Sequence, residues 1–120
     1  MTKSVCVFCG SRDGNLSEFQ EIANELGQSL AKKGINLVYG GGQVGLMGHL
    51  ARAALREGGH VTGIIPEFLN KREIRFDEVS QVIETKTLRD RIKQMVQRSD
   101  AFIVLPGGIG TLDELMQMFT

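Results

Sequence analysis

The sequence predicts a doubly wound α/β domain, and three observations carry that prediction. Short apolar runs rich in β-branched and aromatic residues alternate with longer segments of helical period along the chain. The short runs are continuously apolar, as strands covered on both faces are. Glycine-rich loops follow several of the runs, and two of them open directly onto helices. Strands that alternate with helices pair in parallel through right-handed crossovers. The expected architecture is therefore a Rossmann-like doubly wound parallel sheet in a three-layer αβα arrangement.

Each element has its own signal. Ser4–Cys9 reads as a buried strand. Ser17–Lys33 is a helix with Phe19, Ile22, Ala23, Leu26, Leu30 and Ala31 at helical spacing, and Gly34 stands where a terminating glycine should. Ile35–Tyr39 is a second strand, Gly40–Gly42 a loop, and Gly45–Glu57 a helix carrying Leu46, Met47, Leu50, Ala51, Ala54 and Leu55. His60–Ile65 is a third strand stopped by Pro66, and the polar stretch Glu67–Asp77 reads as a surface loop. Glu78–Glu84 is a short strand, Thr87–Arg98 a helix, Ala101–Leu105 the strongest strand, and Thr111–Thr120 the start of a last helix.

With 120 residues the chain is expected to form one domain, residues 1–120. Hydrophobic residues at 42% and charged residues at 23% exclude a disordered tail, a coiled coil and a collagen-like chain. Fourteen basic residues balance fourteen acidic ones, so the basic excess of a nucleic-acid binder is missing and no nucleic-acid partner is expected. No apolar run approaches the ~18 residues of a membrane span, and Met1–Ser4 leads straight into a strand, so no membrane partner and a cytoplasmic location are expected. Cys6 and Cys9 fall in one strand at a spacing that points them to opposite faces, which suits two core thiols better than one metal or disulfide. The last helix reaches Met118-Phe119 without a cap, as the N-terminal part of a longer, here C-terminally short, fold would, or a protein whose partner covers that end.

In an open parallel sheet, ligands bind at the carboxyl ends of the strands. Three such ends carry loops suited to close backbone approach: Cys9-Gly10-Ser11-Arg12, Gly40–Gly48 and Pro106-Gly107-Gly108-Ile109-Gly110-Thr111. Free N–H groups and the positive dipole end of the following helices make these anion sites, so a phosphate-bearing ligand is expected, although glycines also serve tight turns alone. Gly40–Gly45 is formally G-x-G-x-x-G, with Glu67 lying 22 residues beyond Gly45, which leaves dinucleotide binding open. Thr111–Glu114 is a T-x-x-E capping box, so Glu114 is either a helix cap or an ionised acid at the mouth of a phosphate loop. The helix over Thr87–Arg98 has an apolar stripe of Leu88, Ile92, Met95, Val96 and Ser99, with Arg91 on its border. Arg91 either lays its stem on the core with its head in water or reaches the cleft to pair with a phosphate or carboxylate. His49 and His60 lack companions at metal spacing, and neither a metal nor a cofactor is expected.

The runs Val7–Ser11, Leu37–Gly48, Gly63–Pro66, Arg91–Met95 and Pro106–Glu114 together resemble the LOG family of cytokinin-activating phosphoribohydrolases, often labelled "possible lysine decarboxylase". The resemblance implies a Rossmann-like homodimer that hydrolyses the N-glycosidic bond of AMP or an N6-modified AMP to free base and ribose 5-phosphate. It implies Arg91 and Glu114 as catalytic residues. It implies substrate contacts at Gly10, Ser11, Gly41, Gly42, Gly45, Met47, Leu88, Pro106, Gly107, Gly108, Gly110 and Thr111. The chain departs from the family's Arg-Lys pair with Arg91-Ile92, a lysine following one place later at Lys93. The decarboxylase label finds no counterpart in the sequence, since no lysine occupies a strand-end loop of the kind a pyridoxal enzyme uses.

Overall fold

The structure is a computed structural model that describes residues 2–9 and 17–105. In chain order its elements are β1 (Ser4–Phe8), α1 (Ser17–Lys32), β2 (Asn36–Tyr39), α2 (Gly45–Arg56), β3 (Val61–Pro66), a single 3-10 turn (Glu67–Leu69), β4 (Gln81–Thr85), α3 (Leu88–Gln97) and β5 (Ala101–Val104). The five strands form one sheet in the order β4-β3-β2-β1-β5, and every pair is parallel. The expected α/β class and the order of its elements through β5 are therefore present. The helix expected over Thr111–Thr120 lies outside the described residues.

The strand order decides where the helices go. From β1 to β2 to β3 the chain steps one way across the sheet, so right-handed crossovers place α1 and α2 on the same face. From β4 the chain returns past β1 to reach β5, and the reversed step carries α3 to the opposite face. Two apolar layers result. Val7, Cys9, Leu37, Tyr39 and Val61 pack under Ala23, Leu30, Leu46, Leu50 and Ala54, while Cys6, Phe8, Val38 and Ile64 pack under Ile92 and Met95. Cys6 and Cys9 fall in different layers, as their spacing predicts. α1 and α2 meet closely at Gly27, where a Cβ would collide with the Leu50 carbonyl.

Two boundaries differ from expectation for physical reasons. β4 begins at Gln81 rather than Glu78, because Phe76 and Val79 turn into the layer beneath α2 and the Ser80 hydroxyl accepts a bond from the Val61 N–H (3.0 Å). Pro66 does not stop β3 short but forms its last rung opposite Thr85, where a strand end can do without an N–H.

Candidate active site

Strands β1, β2 and β5, which precede the loops that the sequence singles out, all run to the carboxyl edge of one parallel sheet. The order reverses between β1 and β5, so the crevice of a doubly wound sheet opens there. Cys9 and Leu105, which precede Gly10 and Pro106, directly follow these neighbouring strands, and the Leu105 N–H donates to Phe8 O at 2.8 Å. Gly10, Ser11, Pro106, Gly107, Gly108, Gly110, Thr111 and Glu114 lie outside the described residues.

One strand away, Gly40–Gly48 carries β2 into α2. Gly41 and Gly45 have φ of 82° and 63°, values that side chains rarely adopt, and so the turn requires glycine at both. Gly63 on β3 comes so close that a Cβ there would lie 2.8 Å from the Gly41 Cα. Val44 caps α2 without a side-chain hydrogen bond, leaving the helix entrance to its backbone donors. Residues 70–76, expected as a plain surface loop, clasp this turn. The Phe76 N–H donates to Gly41 O (2.9 Å), the Gln43 N–H donates to Ile74 O (3.0 Å), and Gly42 bridges Arg75 in antiparallel fashion. Gln43 Nε2 also donates to the carbonyls of Arg72 (3.2 Å) and Glu73 (3.0 Å).

Arg91 reaches the same place from the opposite face. It is buried, 6% exposed, with Nε donating to Ile64 O (2.9 Å) and Nη2 to Gly40 O (2.6 Å). Its head is therefore not in water, which settles the first of its two expected placements against. Burying a guanidinium is costly unless its donors are met, and two strand-end carbonyls orient this one. Gly40 makes the room, since a Cβ there would collide with the guanidinium and lie 2.8 Å from Met47 Cε. The helix that delivers Arg91 is capped by Thr87, whose hydroxyl accepts from the Asp90 N–H at 3.0 Å. Its buried face is Arg91, Ile92 and Met95. Leu88 shares that side, but as the first helical residue it overhangs the carboxyl edge and is 43% exposed. Ile92, in place of the family's lysine, fills the apolar layer, while Lys93 is exposed.

Of the expected contact residues, Gly41, Gly42, Gly45 and Leu88 stand at this edge. Met47 is buried with its thioether beneath Gly40 and Gly42, so it can meet a ligand only through its backbone in the first turn of α2. Three further residues shape the turn. The Tyr39 hydroxyl donates to Gly42 O (2.8 Å), and Arg52 Nη1 donates to Gln43 O (2.9 Å) while its guanidinium carbon lies 5.8 Å from the Phe76 ring centroid. Burial pushes the Tyr39 hydroxyl far above the ordinary tyrosine value, with Cys9 acting in the same direction and Arg52 and Arg91 opposing, so it remains a donor. Sequence period gives no sign of the two hydrogen bonds, because each is made to a backbone carbonyl. Among the described residues no group of three or more His, Cys, Asp or Glu could hold a metal, and no helix is long and apolar enough to cross a membrane.

Comparison with known proteins agrees with this fold. The family described as "Possible lysine decarboxylase" matches residues 47–120. Cytokinin riboside 5′-monophosphate phosphoribohydrolase LOG1 of Arabidopsis thaliana is 47% identical over 98% of this chain and 55% of its own length. The chain spans about half the length of the curated relatives it matches. Among solved structures, the molybdenum cofactor binding protein of Rippkaea orientalis is 28% identical with a TM-score of 0.82, covering 98% of this chain and 70% of that one. The molybdenum cofactor carrier protein of Chlamydomonas reinhardtii is 25% identical with a TM-score of 0.83, covering 99% and 71%. A match over more than half its residues, on a parallel sheet whose carboxyl edge bears the glycine turn and the buried arginine, makes this chain a member of the possible lysine decarboxylase family, to which the LOG proteins belong.

Proposed function

We propose that the protein is a nucleoside 5′-monophosphate phosphoribohydrolase acting on AMP or an N6-modified AMP. The observation that carries this reading is Arg91, a buried guanidinium fixed at the carboxyl edge between Ile64 O and Gly40 O. Similarity to a cytokinin riboside 5′-monophosphate phosphoribohydrolase supports the same chemistry. In the reaction the bond from C1′ to the base nitrogen breaks and its electron pair leaves with the base. Water adds to C1′, and a proton from that water ends on the base. Positive charge grows on the ribose in an oxocarbenium-like transition state. The Glu114 carboxylate stabilises that charge and orients the water, and Arg91 holds Glu114 and the ligand. The N–H groups within Pro106–Thr111, of which the proline has none, anchor the 5′-phosphate in this reading, and Gly10, Ser11, Gly41, Gly42, Gly45, Met47 and Leu88 complete the pocket.

Residues 1–120 act in this reading as one nucleotide-binding domain, and the greater length of the relatives supports its place in a longer fold. A cytoplasmic homodimer is proposed with it. Val96, Phe102 and Val104 are each more than a third exposed on the α3 side of the sheet, and a second copy would cover that apolar surface. The test is incubation of the protein with AMP and with isopentenyl-AMP, scored for free base and ribose 5-phosphate. Release of both products supports the reading, and folded protein that releases base from neither sinks it.

A second reading, a module that binds a nucleotide or dinucleotide without turnover, is favoured by the likeness to a molybdenum cofactor binding protein and a molybdenum cofactor carrier protein. Calorimetry separates the two, since tight AMP binding without base release belongs to the module alone. The dinucleotide variant is disfavoured by the sheet, because the G-x-G-x-x-G turn follows β2 and not a strand at the reversal point.

A further inference from the structure

Four consecutive carbonyls at the head of α2 each accept a hydrogen bond from a different part of the chain. Arg91 donates to Gly40 O, the Phe76 N–H to Gly41 O, the Tyr39 hydroxyl to Gly42 O and Arg52 to Gln43 O, at 2.6, 2.9, 2.8 and 2.9 Å. A carbonyl oxygen carries partial negative charge, and a turn that receives an anion has to point such oxygens elsewhere. Two of the four donors are guanidiniums, which add positive potential behind the turn.

Arg52 is held for this purpose. It projects from α2 and reaches back along the helix to the residue before its N-cap. It is half-buried, with its guanidinium over the ring of Phe76, whose own N–H secures Gly41 O. Gly48 clears the path. A Cβ at position 48 would collide with the Gln43 carbonyl and lie 2.8 Å from Arg52 Nη2.

We propose that Arg52 is a positioning residue of the nucleotide site. By fixing the Gln43 carbonyl it sets the entry to α2, so that the turn offers an anionic substrate its N–H groups and helix dipole with its carbonyls turned away. The inference rests on the reading of the protein as nucleotide-binding. Arg52 does not itself touch the substrate, and its effect passes through Gln43.

The experiment compares the full chain with Arg52→Gln, Arg52→Lys and Arg56→Gln, an exposed arginine of the same helix that controls for lost charge. Melting temperature, calorimetric AMP affinity, and KM and kcat for base release are measured for each. Arg52→Gln should raise Kd and KM about tenfold or more, the scale of one lost charge-assisted bond. Its kcat should stay within about threefold, because the loss is common to ground and transition states. Arg52→Lys, which keeps one donor, should recover part of the affinity, and Arg56→Gln should match the parent. Parental Kd in Arg52→Gln, or an equal loss in Arg56→Gln, overturns this inference alone. A parent protein that binds no AMP overturns the nucleotide reading together with it. If Arg52→Gln does not fold, Gly48→Ala disturbs the same carbonyl with Arg52 in place, and a parental KM there overturns the inference.

Discussion

Gly40→Ala is a one-carbon perturbation aimed at the junction between β2 and Arg91. The added Cβ would collide with the Arg91 guanidinium and lie 2.8 Å from Met47 Cε. The methionine end can swing aside, but the guanidinium is tied at Gly40 O and Ile64 O. Either the backbone shifts, at the ~1–3 kcal/mol of overpacking, or the arginine lets go of Gly40 O, at ~1.5–3 kcal/mol for a bond to a charged group. Either route costs ~1–3 kcal/mol, which leaves a typical domain folded. If Arg91 acts as proposed, turnover of AMP should fall further, by ~10²-fold, the loss that a displacement of about 1 Å at a reacting site brings. The comparison is Gly34→Ala, where a Cβ meets nothing within 4 Å but φ is +71°. That variant should lose ~1 kcal/mol to backbone strain and keep its activity. Denaturant unfolding and base release are measured for parent, both alanine variants, Arg91→Ala and the Gly40→Ala/Arg91→Ala pair. The Gly40→Ala cost should shrink by at least about 1 kcal/mol once Arg91 is gone. Strictly additive costs would refute the clash, and parental activity in Gly40→Ala would refute the link from Gly40 to the site.

Three further outcomes follow from the same contacts. Tyr39 is the only tyrosine in the chain, so ultraviolet absorbance of tyrosinate reports it alone. An unfolded tyrosine ionises near pH 10 while buried Tyr39 keeps its proton, so stability present below about pH 10 is lost as pH rises beyond it, and tyrosinate should appear together with unfolding rather than before. Tyrosinate absorbance in the still-folded protein near pH 10 would contradict this. Thr87→Ala removes the cap bond to the Asp90 N–H and should cost ~1 kcal/mol in a denaturant titration, with an unchanged midpoint counting against the cap. Gly63→Ala places a Cβ 2.8 Å from the Gly41 Cα, backbone against backbone, and should destabilise by ~1–3 kcal/mol, with parental stability showing that β3 and the turn are not in contact.

The legible part of the fold was the part governed by period and punctuation. Val5–Phe8 and Ala101–Val104 are strands in the sequence and in the sheet, and Gly34 follows α1 with its N–H bonded to Ala31 O at 3.0 Å. The sequence pattern starts β4 three residues early because Phe76 and Val79 are apolar for the core rather than for a ladder. Arg91 illustrates the limit more sharply. Helical period puts it on the border of an apolar stripe, but the carbonyls that make burial tolerable belong to Ile64 and Gly40, far away in sequence. The clasp by residues 70–76 is hidden for a related reason, since these residues bond to the turn through backbone groups, which any residue supplies. The glycines of the turn were visible, but not which of them yield to φ and which to a neighbour, as Gly41 and Gly40 respectively do.

In the proposed reaction a negative charge at Glu114 stabilises a cationic ribose at a site organised by Arg91. Glu114→Gln tests it most directly, because glutamine serves equally as the third residue of a capping box and removes only the charge. Melting temperature, AMP affinity and base release are measured for parent and variant side by side. The expected result is near-parental stability, AMP affinity changed far less than turnover, and turnover lower by ~10²-fold or more, the scale of one lost preorganised electrostatic group. Near-parental turnover in Glu114→Gln would contradict it and leave Glu114 a helix cap.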